Sequence, residues 1–250
     1  MKIINASYQI MSPDLDDPCT YRKILKEITE SGYTAYKASG EITDEKVKDF
    51  VKRLIQNGHE SVLEHVSMRV KFIVDRGVSH ELVRHRIASF TQESTRYCNY
   101  SKDKFGNEIT VILPVFFMDI PTERRELIYR IATDKCSNED TDKLLETPMY
   151  PHEQAFYKWA ESCDYAEKAY FVMLDRGCTP QEARAVLPNS LKTEVMMTTN
   201  LREWRHILNL RAAGTTGKPH PQMLEVAVPL LNELRLKLPV VFEDIIPMEV

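Results

Sequence analysis

Glycine is scarce, with eight in 250 residues, and none lies in a Gly-x-Gly-x-x-Gly run or a Gly-Lys-Ser/Thr loop. A Rossmann or Walker-type phosphate cradle is therefore excluded. No Gly-x-Ser-x-Gly nucleophile elbow occurs either. The five cysteines, Cys19, Cys98, Cys136, Cys163 and Cys178, are odd in number and scattered, and no two have Cys-x-x-Cys spacing. That excludes a disulfide framework and a zinc ribbon. Long apolar runs are missing. The longest, Ile109 to Met118, contains Thr110 and Pro114 and is closed by Glu108 and Asp119. It is half the roughly 20 residues that a membrane helix needs. Lys2-Ile3-Ile4-Asn5 offers no signal-peptide apolar region. The expectation is a cytoplasmic protein with reduced thiols and no membrane association. A large charge excess is missing too: 33 Lys+Arg against 37 Asp+Glu leave a net charge of −4. This disfavours a global polyanion binder and leaves room for a local basic pocket.

What remains is ordinary globular composition, 43% hydrophobic and 28% charged. No internal repeat or low-complexity tract interrupts it, and the whole chain, 1–250, reads as a single domain. Val47, Phe50, Val51, Leu54 and Ile55 predict a helix over Asp44–Gln56, stopped by Asn57-Gly58. Val66, Met68, Val70, Phe72 and Val74 are apolar, with Ser67, Arg69 and Lys71 among the residues between them, which predicts a half-buried strand. Gly77 is expected to break it and Ser79 to cap a short helix into Arg84. Glu108 to Phe117 reads as a second strand. Helices are predicted over Thr122–Thr133 and His152–Arg176, the latter ended by Gly177, with an exposed charged stretch from Asp134 to Glu146 between them. Thr179-Pro180-Gln181-Glu182 is a helix-start signature. Asn200-Leu201-Arg202-Glu203 repeats the cap for a helix through about Arg211, and Pro221 opens a final one through Leu236. The last hundred residues thus read as mainly helical. Strands and helices occur without βαβ alternation, so the fold class is α+β, an antiparallel-rich sheet with flanking helices.

Three segments carry candidate chemistry. In Arg84-His85-Arg86-Ile87-Ala88-Ser89-Phe90-Thr91-Gln92-Glu93-Ser94-Thr95-Arg96, arginine forks, hydroxyls and an amide stand among apolar residues. Guanidinium groups match phosphate oxygens, and hydroxyls add donors, which suits a nucleotide. A solvated basic loop is the plain alternative. In Gly58-His59-Glu60-Ser61-Val62-Leu63-Glu64-His65 the two histidines are six apart. On a helix they lie roughly 240° apart, so they cannot share a metal as an i, i+4 pair does. No metal site is expected. In Asn200 to Arg211, Arg202, His206 and Asn209 share one helix face, while Leu201, Trp204 and Leu208 form a packing stripe. Arg211 ends that helix, where its charge also suits the dipole. His220 reads either as a ligand contact or as a helix start.

Arg84-His85-Arg86 followed after seven residues by Ser94 resembles the signature of the flavin-dependent thymidylate synthases, the ThyX family. The resemblance runs along most of the chain: Gly58 to Ser61 with Glu64-His65, Asp75 to Val83, Glu93 to Lys102, Leu187-Pro188 with Leu191 to Glu194, and Asn200 to Arg211. It implies conversion of dUMP to dTMP, with 5,10-methylenetetrahydrofolate as carbon donor, bound FAD, and NADPH as reductant. It also implies a homotetramer with active sites shared between subunits. FAD contacts fall by resemblance on Ser61, Arg84, His85, Arg86, Gln92, Asn200, Arg202 and His206, with Glu64, Ile87 and His220 as weaker assignments. The dUMP contacts fall on Glu81, Arg84, Gln92, Glu93, Ser94, Thr95, Arg96, Arg184 and Arg211. His59 falls near the flavin. Arg211 is the residue the family places for substrate activation. Uracil C5 needs negative charge to build over N3 and O4 before it attacks, and a desolvated guanidinium stabilises that charge. Ser94 has no activating base in the sequence pattern and is expected to act as a donor, with no protein nucleophile required. Position 81 is Glu where some members have Gln, 92 is Gln where some have Glu, 206 is His where some have Asn, and Tyr33 stands where Arg is frequent. Two further readings stay open: an NADPH oxidase of the same fold, and a silent nucleotide- or RNA-binding module.

Overall fold

Capping chemistry fixes most helix starts. In the computed structural model, which describes residues 1–37 and 43–249, Asp17 accepts the Cys19 amide at 2.9 Å and Pro18 opens α1 (Pro18–Tyr36). Helix α2 (Asp44–Gln56) has the predicted bounds. Then come α3 (Arg76–Leu82), α4 (Thr122–Ala132), α5 (Asn138–Glu146) and α6 (Pro151–Asp175). They are followed by α7 (Pro180–Ala183), α8 (Leu201–Arg211), α9 (Pro221–Lys237) and α10 (Pro239–Phe242). Gly177 ends the α6 run with φ of 91°, a conformation that favours glycine. At α7 the expected reciprocal cap is present, with Glu182 Oε2 accepting from the Thr179 amide at 2.7 Å. The charged stretch after Asp134 contains α5, capped by Ser137 and Asp140.

The strands are β1 (Lys2–Ile4), β2 (Ser7–Ser12), β3 (Ser67–Asp75), β4 (Ser89–Gln92), β5 (Thr110–Ile112) and β6 (Lys192–Asn200). Four form a sheet in the order β2-β3-β6-β4, with the β2–β3 and β4–β6 pairs antiparallel. β1 and β5 pair in parallel. The α+β class holds.

The chain divides into two compact units. Unit 1 comprises Met1–Ala6, Val74–Gly77 and Glu93–Thr193. It is organised on α6, whose Cys163 and Tyr170 pack with Ile109, Val111 and Leu191. Phe156, stacked on Trp159 at 5.7 Å, packs with Leu113, Ile120 and Ile128. Arg124 forks onto Glu153 at 2.9 and 3.1 Å, tying α4 to α6. Unit 2 comprises Ser7–Ile73, Val78–Gln92 and Glu194–Val250 and holds most of the sheet. Met68, Val70 and Phe72 of β3 point inward, as the alternation predicts. Trp204 of α8 is buried on β3 and donates its indole N–H to the Met68 carbonyl at 3.1 Å. Burying a side chain such as Phe72 or Met68 contributes about 1.5–3 kcal/mol. The expected stripe of Leu201, Trp204 and Leu208 is buried throughout.

Three expectations change. Gly77 does not separate β3 from a helix capped by Ser79, because α3 already begins at Arg76. A Cβ at Gly77 would stand 2.8 Å from the Asn189 amide nitrogen, so the residue is there for close approach. Ser79 is a buried helix residue whose hydroxyl accepts from Gln92. The run Glu108 to Phe117 is a strand only over Thr110–Ile112. Pro114 then precedes a 3-10 turn, Val115–Phe117, since proline has no amide to donate to a ladder. Lys192–Asn200, within the stretch read as mainly helical, is strand β6, with Thr193, Val195, Met197 and Thr199 buried in strict alternation.

Candidate functional site

In unit 2, α8 is the spine of the site. Asn200 caps it, its side-chain oxygen accepting from the Glu203 amide at 2.9 Å. The 3.6-residue period places Arg202, His206 and Asn209 along one face, and all three line a cavity of about 580 Å³. Asn200, Glu64 and Ile87 line it as well, so five of the residues assigned by resemblance meet there. Ser61, exposed on the 3-10 turn Glu60–His65, is outside the lining, as are Arg84, His85, Arg86, Gln92 and exposed His59. Arg84 and Arg86 are solvent-facing, on either side of buried His85. His220 is the N-cap of α9 and accepts from the Gln222 amide at 3.3 Å, the helix-start role.

Behind the cavity wall is a polar cluster. Arg211 Nε donates to His85 Nε2 at 3.2 Å, and its Nη1 donates to Glu81 Oε2 at 2.8 Å. Since His85 Nε2 accepts, its ring is neutral with the proton on Nδ1. Burial first, then the charges of Arg211 and His206, push the His85 pKa down to about 4. His85 Nδ1 lies 3.9 Å from Glu203 Oε1. Burial raises the Glu203 pKa, against an opposing pull from His206. His85, Glu203 and His206 each offer one ligand atom within 4.8 Å of the others, a spacing a metal ion could use. The Arg211 guanidinium on His85 Nε2 opposes a cation there.

Two residues in this wall escaped the sequence reading. In the sequence Glu203 reads only as a helix-start acid. Arg205 is 6% exposed and is bound by Asp244 through two contacts of 2.7 Å and by Glu60 at 3.0 Å. It also donates to the Val241 carbonyl. Arg202 reaches Glu64 at 2.5 Å. Arg205, Glu60, Arg202 and Glu64 thus alternate in charge along the wall, with Asp244 holding Arg205 from outside the lining. A partner 39 residues away leaves no local signal for Arg205.

Unit 1 carries the remaining assigned residues. Glu93 pairs with Lys192 at 3.0 Å, and Arg76 reaches the Glu93 carbonyl at 3.5 Å and the Thr193 hydroxyl at 3.3 Å. Arg184 donates to the buried Thr95 hydroxyl at 3.3 Å. The Ser94 hydroxyl oxygen accepts the Arg96 amide at 3.3 Å, and the Ser94 carbonyl accepts from Tyr97 and Cys98 at 3.0 and 2.9 Å. This is a turn geometry, and no base activates the Ser94 hydroxyl among the described residues. Lys192 and Arg76 lie in segments that carry the family resemblance but have no site role assigned by it.

A flavin nucleotide fits the donor set of the α8 cavity. Its size is within the range of cofactor pockets. Arg202, Asn200 and His206 offer donors, Glu60 and Glu64 offer acceptors suited to hydroxyls, and Ile87, 67% exposed, presents an apolar surface suited to a flat ring.

The sequence profile of the family described as "Thymidylate synthase complementing protein" matches residues 20–240. A flavin-dependent thymidylate synthase of Geobacter sulfurreducens is 28% identical over 199 residues, 79% of this chain and 69% of that one. One of Mycobacterium avium is 31% identical over 196 residues, covering 78% and 68%. The fold also matches the crystal structure of the UMP/dUMP methylase PolB from Streptomyces cacaoi bound with 5-Br UMP. The TM-score is 0.67 at 20% identity, over 97% of this chain and 95% of that one. With its family profile spanning both units, the chain belongs to the thymidylate synthase complementing protein family, that of the flavin-dependent thymidylate synthases.

Proposed function

We propose that this chain methylates dUMP to dTMP, with 5,10-methylenetetrahydrofolate as carbon donor, NADPH as reductant and FAD as bound cofactor. The observation that carries the reading is Arg211, whose guanidinium is fixed by Glu81 and by a neutral His85. Such a preset cation stabilises negative charge that develops over the N3–O4 edge of uracil as C5 attacks, without reorganising at that moment. Arg211 is the proposed catalytic residue. The proposed dUMP contacts are Glu81, Arg84, Gln92, Glu93, Ser94, Thr95, Arg96, Arg184 and Arg211. Those for FAD are Ser61, Arg84, His85, Arg86, Gln92, Asn200, Arg202 and His206, with His59 beside the flavin. When bound, the flavin supplies the hydride and carbon-transfer chemistry, so the chain needs no nucleophile of its own. Ser94 then serves as a hydrogen-bond donor to substrate.

The chain acts in this reading as one catalytic domain over 1–250, assembled as a homotetramer, without nucleic-acid or membrane partners. No described helix is long and apolar enough to cross a membrane. The cysteines are unpaired, in keeping with a cytoplasmic, reducing setting. The deciding assay measures dTMP from dUMP, methylenetetrahydrofolate and NADPH with flavin-replete protein. NADPH consumption without dTMP would favour the oxidase reading, and a protein that takes up no flavin would favour the silent module. Small-angle scattering that shows an active monomer would overturn the tetramer.

A further inference from the structure

Glu93 opens the run of proposed dUMP contacts Glu93 to Arg96, and both oxygens of its carboxylate are held from within unit 1. Lys192, the first residue of β6, places its ammonium 3.0 Å from Oε2, and the two side chains are only 20% and 14% exposed. The buried Tyr100 donates its hydroxyl to Oε1 at 3.5 Å. Burial first, then the Glu93 charge, raises the Tyr100 pKa, so the phenol keeps the proton it donates. The Cys98 thiol stands beside the same carboxylate, and burial followed by that charge raises its pKa too. Arg76 fixes the backbone end, reaching the Glu93 carbonyl at 3.5 Å and the Thr193 hydroxyl at 3.3 Å. An ion pair this covered adds little stability over apolar side chains, because desolvation offsets the attraction. What it does set is the charge and the place of one carboxylate. Each oxygen has a second lone pair, so Glu93 can still accept from a donor on a ligand. Without the ammonium, its charge would repel a phosphate-bearing nucleotide.

We propose that Lys192 is a positioning residue for nucleotide binding: it holds the Glu93 carboxylate charged and fixed, so that Glu93 accepts from a hydroxyl or the imide N–H of a uracil nucleotide. The inference rests on the reading of Glu93 as a dUMP contact. Lys192 touches no substrate in this arrangement and acts through Glu93.

The test is a double-mutant cycle in dUMP affinity, measured by calorimetry on the full-length, flavin-loaded protein without folate or NADPH. Lys192→Met should weaken binding roughly tenfold or more in the parent background, and less than about twofold in the Glu93→Gln background, where no charge is left to hold. Lys192→Gln is taken through the same cycle and should follow Lys192→Met, so the result does not hang on the folding of one variant. Lys192→Arg, which keeps the cation, should retain more affinity than either. A pair that serves structure alone would lower the melting temperature and leave the affinity of the folded protein as in the parent. Unchanged affinity in the Lys192→Met and Lys192→Gln proteins, an equal loss in both backgrounds, or no recovery in Lys192→Arg would each overturn the assignment while leaving the dUMP reading in place. A parent protein that binds no dUMP would overturn that reading, and this inference with it.

Discussion

Arg211 and Glu81 form an ion pair of 2.8 Å between the last residue of α8 and the last turn of α3, and the same guanidinium holds His85 at 3.2 Å. A cation placed merely to complement a helix dipole would need neither partner. Arg211→Lys keeps the charge but loses the planar fork that serves two acceptors at once, and turnover should fall. Arg211→Ala should fall further, by roughly 2–4 kcal/mol in the barrier, as for a lost oxyanion donor. Near-normal turnover, with only about 0.3–1 kcal/mol of stability lost, would mean that Arg211 is a dipole cation. Steady-state rates and melting curves, with flavin content checked, separate the outcomes.

Ser94 should prove a donor. Ser94→Ala is expected to weaken substrate binding or turnover by about 0.5–3 kcal/mol, the range for hydrogen bonds to neutral or charged groups. dTMP should still form. A trapped Ser94–nucleotide adduct in the parent protein, with no product from a folded variant, would contradict this.

The depressed pKa of His85 gives stability a direction in pH. The unfolded imidazole takes up a proton near the ordinary histidine value of 6.5, and the folded one only at about 4. The contribution is therefore fully present above pH 6.5 and is lost as pH falls through that window. Glu203, whose pKa is raised, works in the opposite sense and blunts the loss. His85→Gln should flatten the fall in melting temperature between pH 6.5 and 4. An equally steep fall in the variant would place the titration elsewhere.

Arg205 makes the buried end of the α8 wall. Asp244→Asn keeps the shape but removes the charge from a double contact, and should cost roughly 1–3 kcal/mol by chemical denaturation. Arg205→Ala should cost more, since it strands the carboxylates of Asp244 and Glu60 and empties a packed volume. If both variants melt like the parent, the ion pairs carry no net stability.

Much of the helical frame was legible because caps are local. Thr179 with Glu182, Asn200 with Glu203 and Pro221 signal their helices within four residues, and the structure begins α7, α8 and α9 there. β6 was not legible. Its inward residues, Thr193, Val195, Met197 and Thr199, alternate with Glu194, Met196 and Thr198, so polarity barely distinguishes the two faces. The face of Arg202, His206 and Asn209 could be read from periodicity alone. The contacts of Arg211 with Glu81 and His85 could not, because they join residues 130 and 126 positions apart. Sequence showed which chemical groups were available, and tertiary pairing decided which of them became neutral, charged or buried.

The position of β6 constrains how the protein can be made. β6 stands between β3 and β4 in the sheet, yet it lies more than a hundred residues after β3 in the chain. During synthesis β2 and β3 can pair early, but the other edge of β3 stays unmatched until about three quarters of the chain has emerged. Over that interval it presents open backbone donors and acceptors flanked by Met68, Val70 and Phe72. Such late, long-range closure makes folding slow and leaves nascent chains open to edge-to-edge association. Substitutions in β6 that spare every proposed site residue should therefore lower soluble yield before they lower activity.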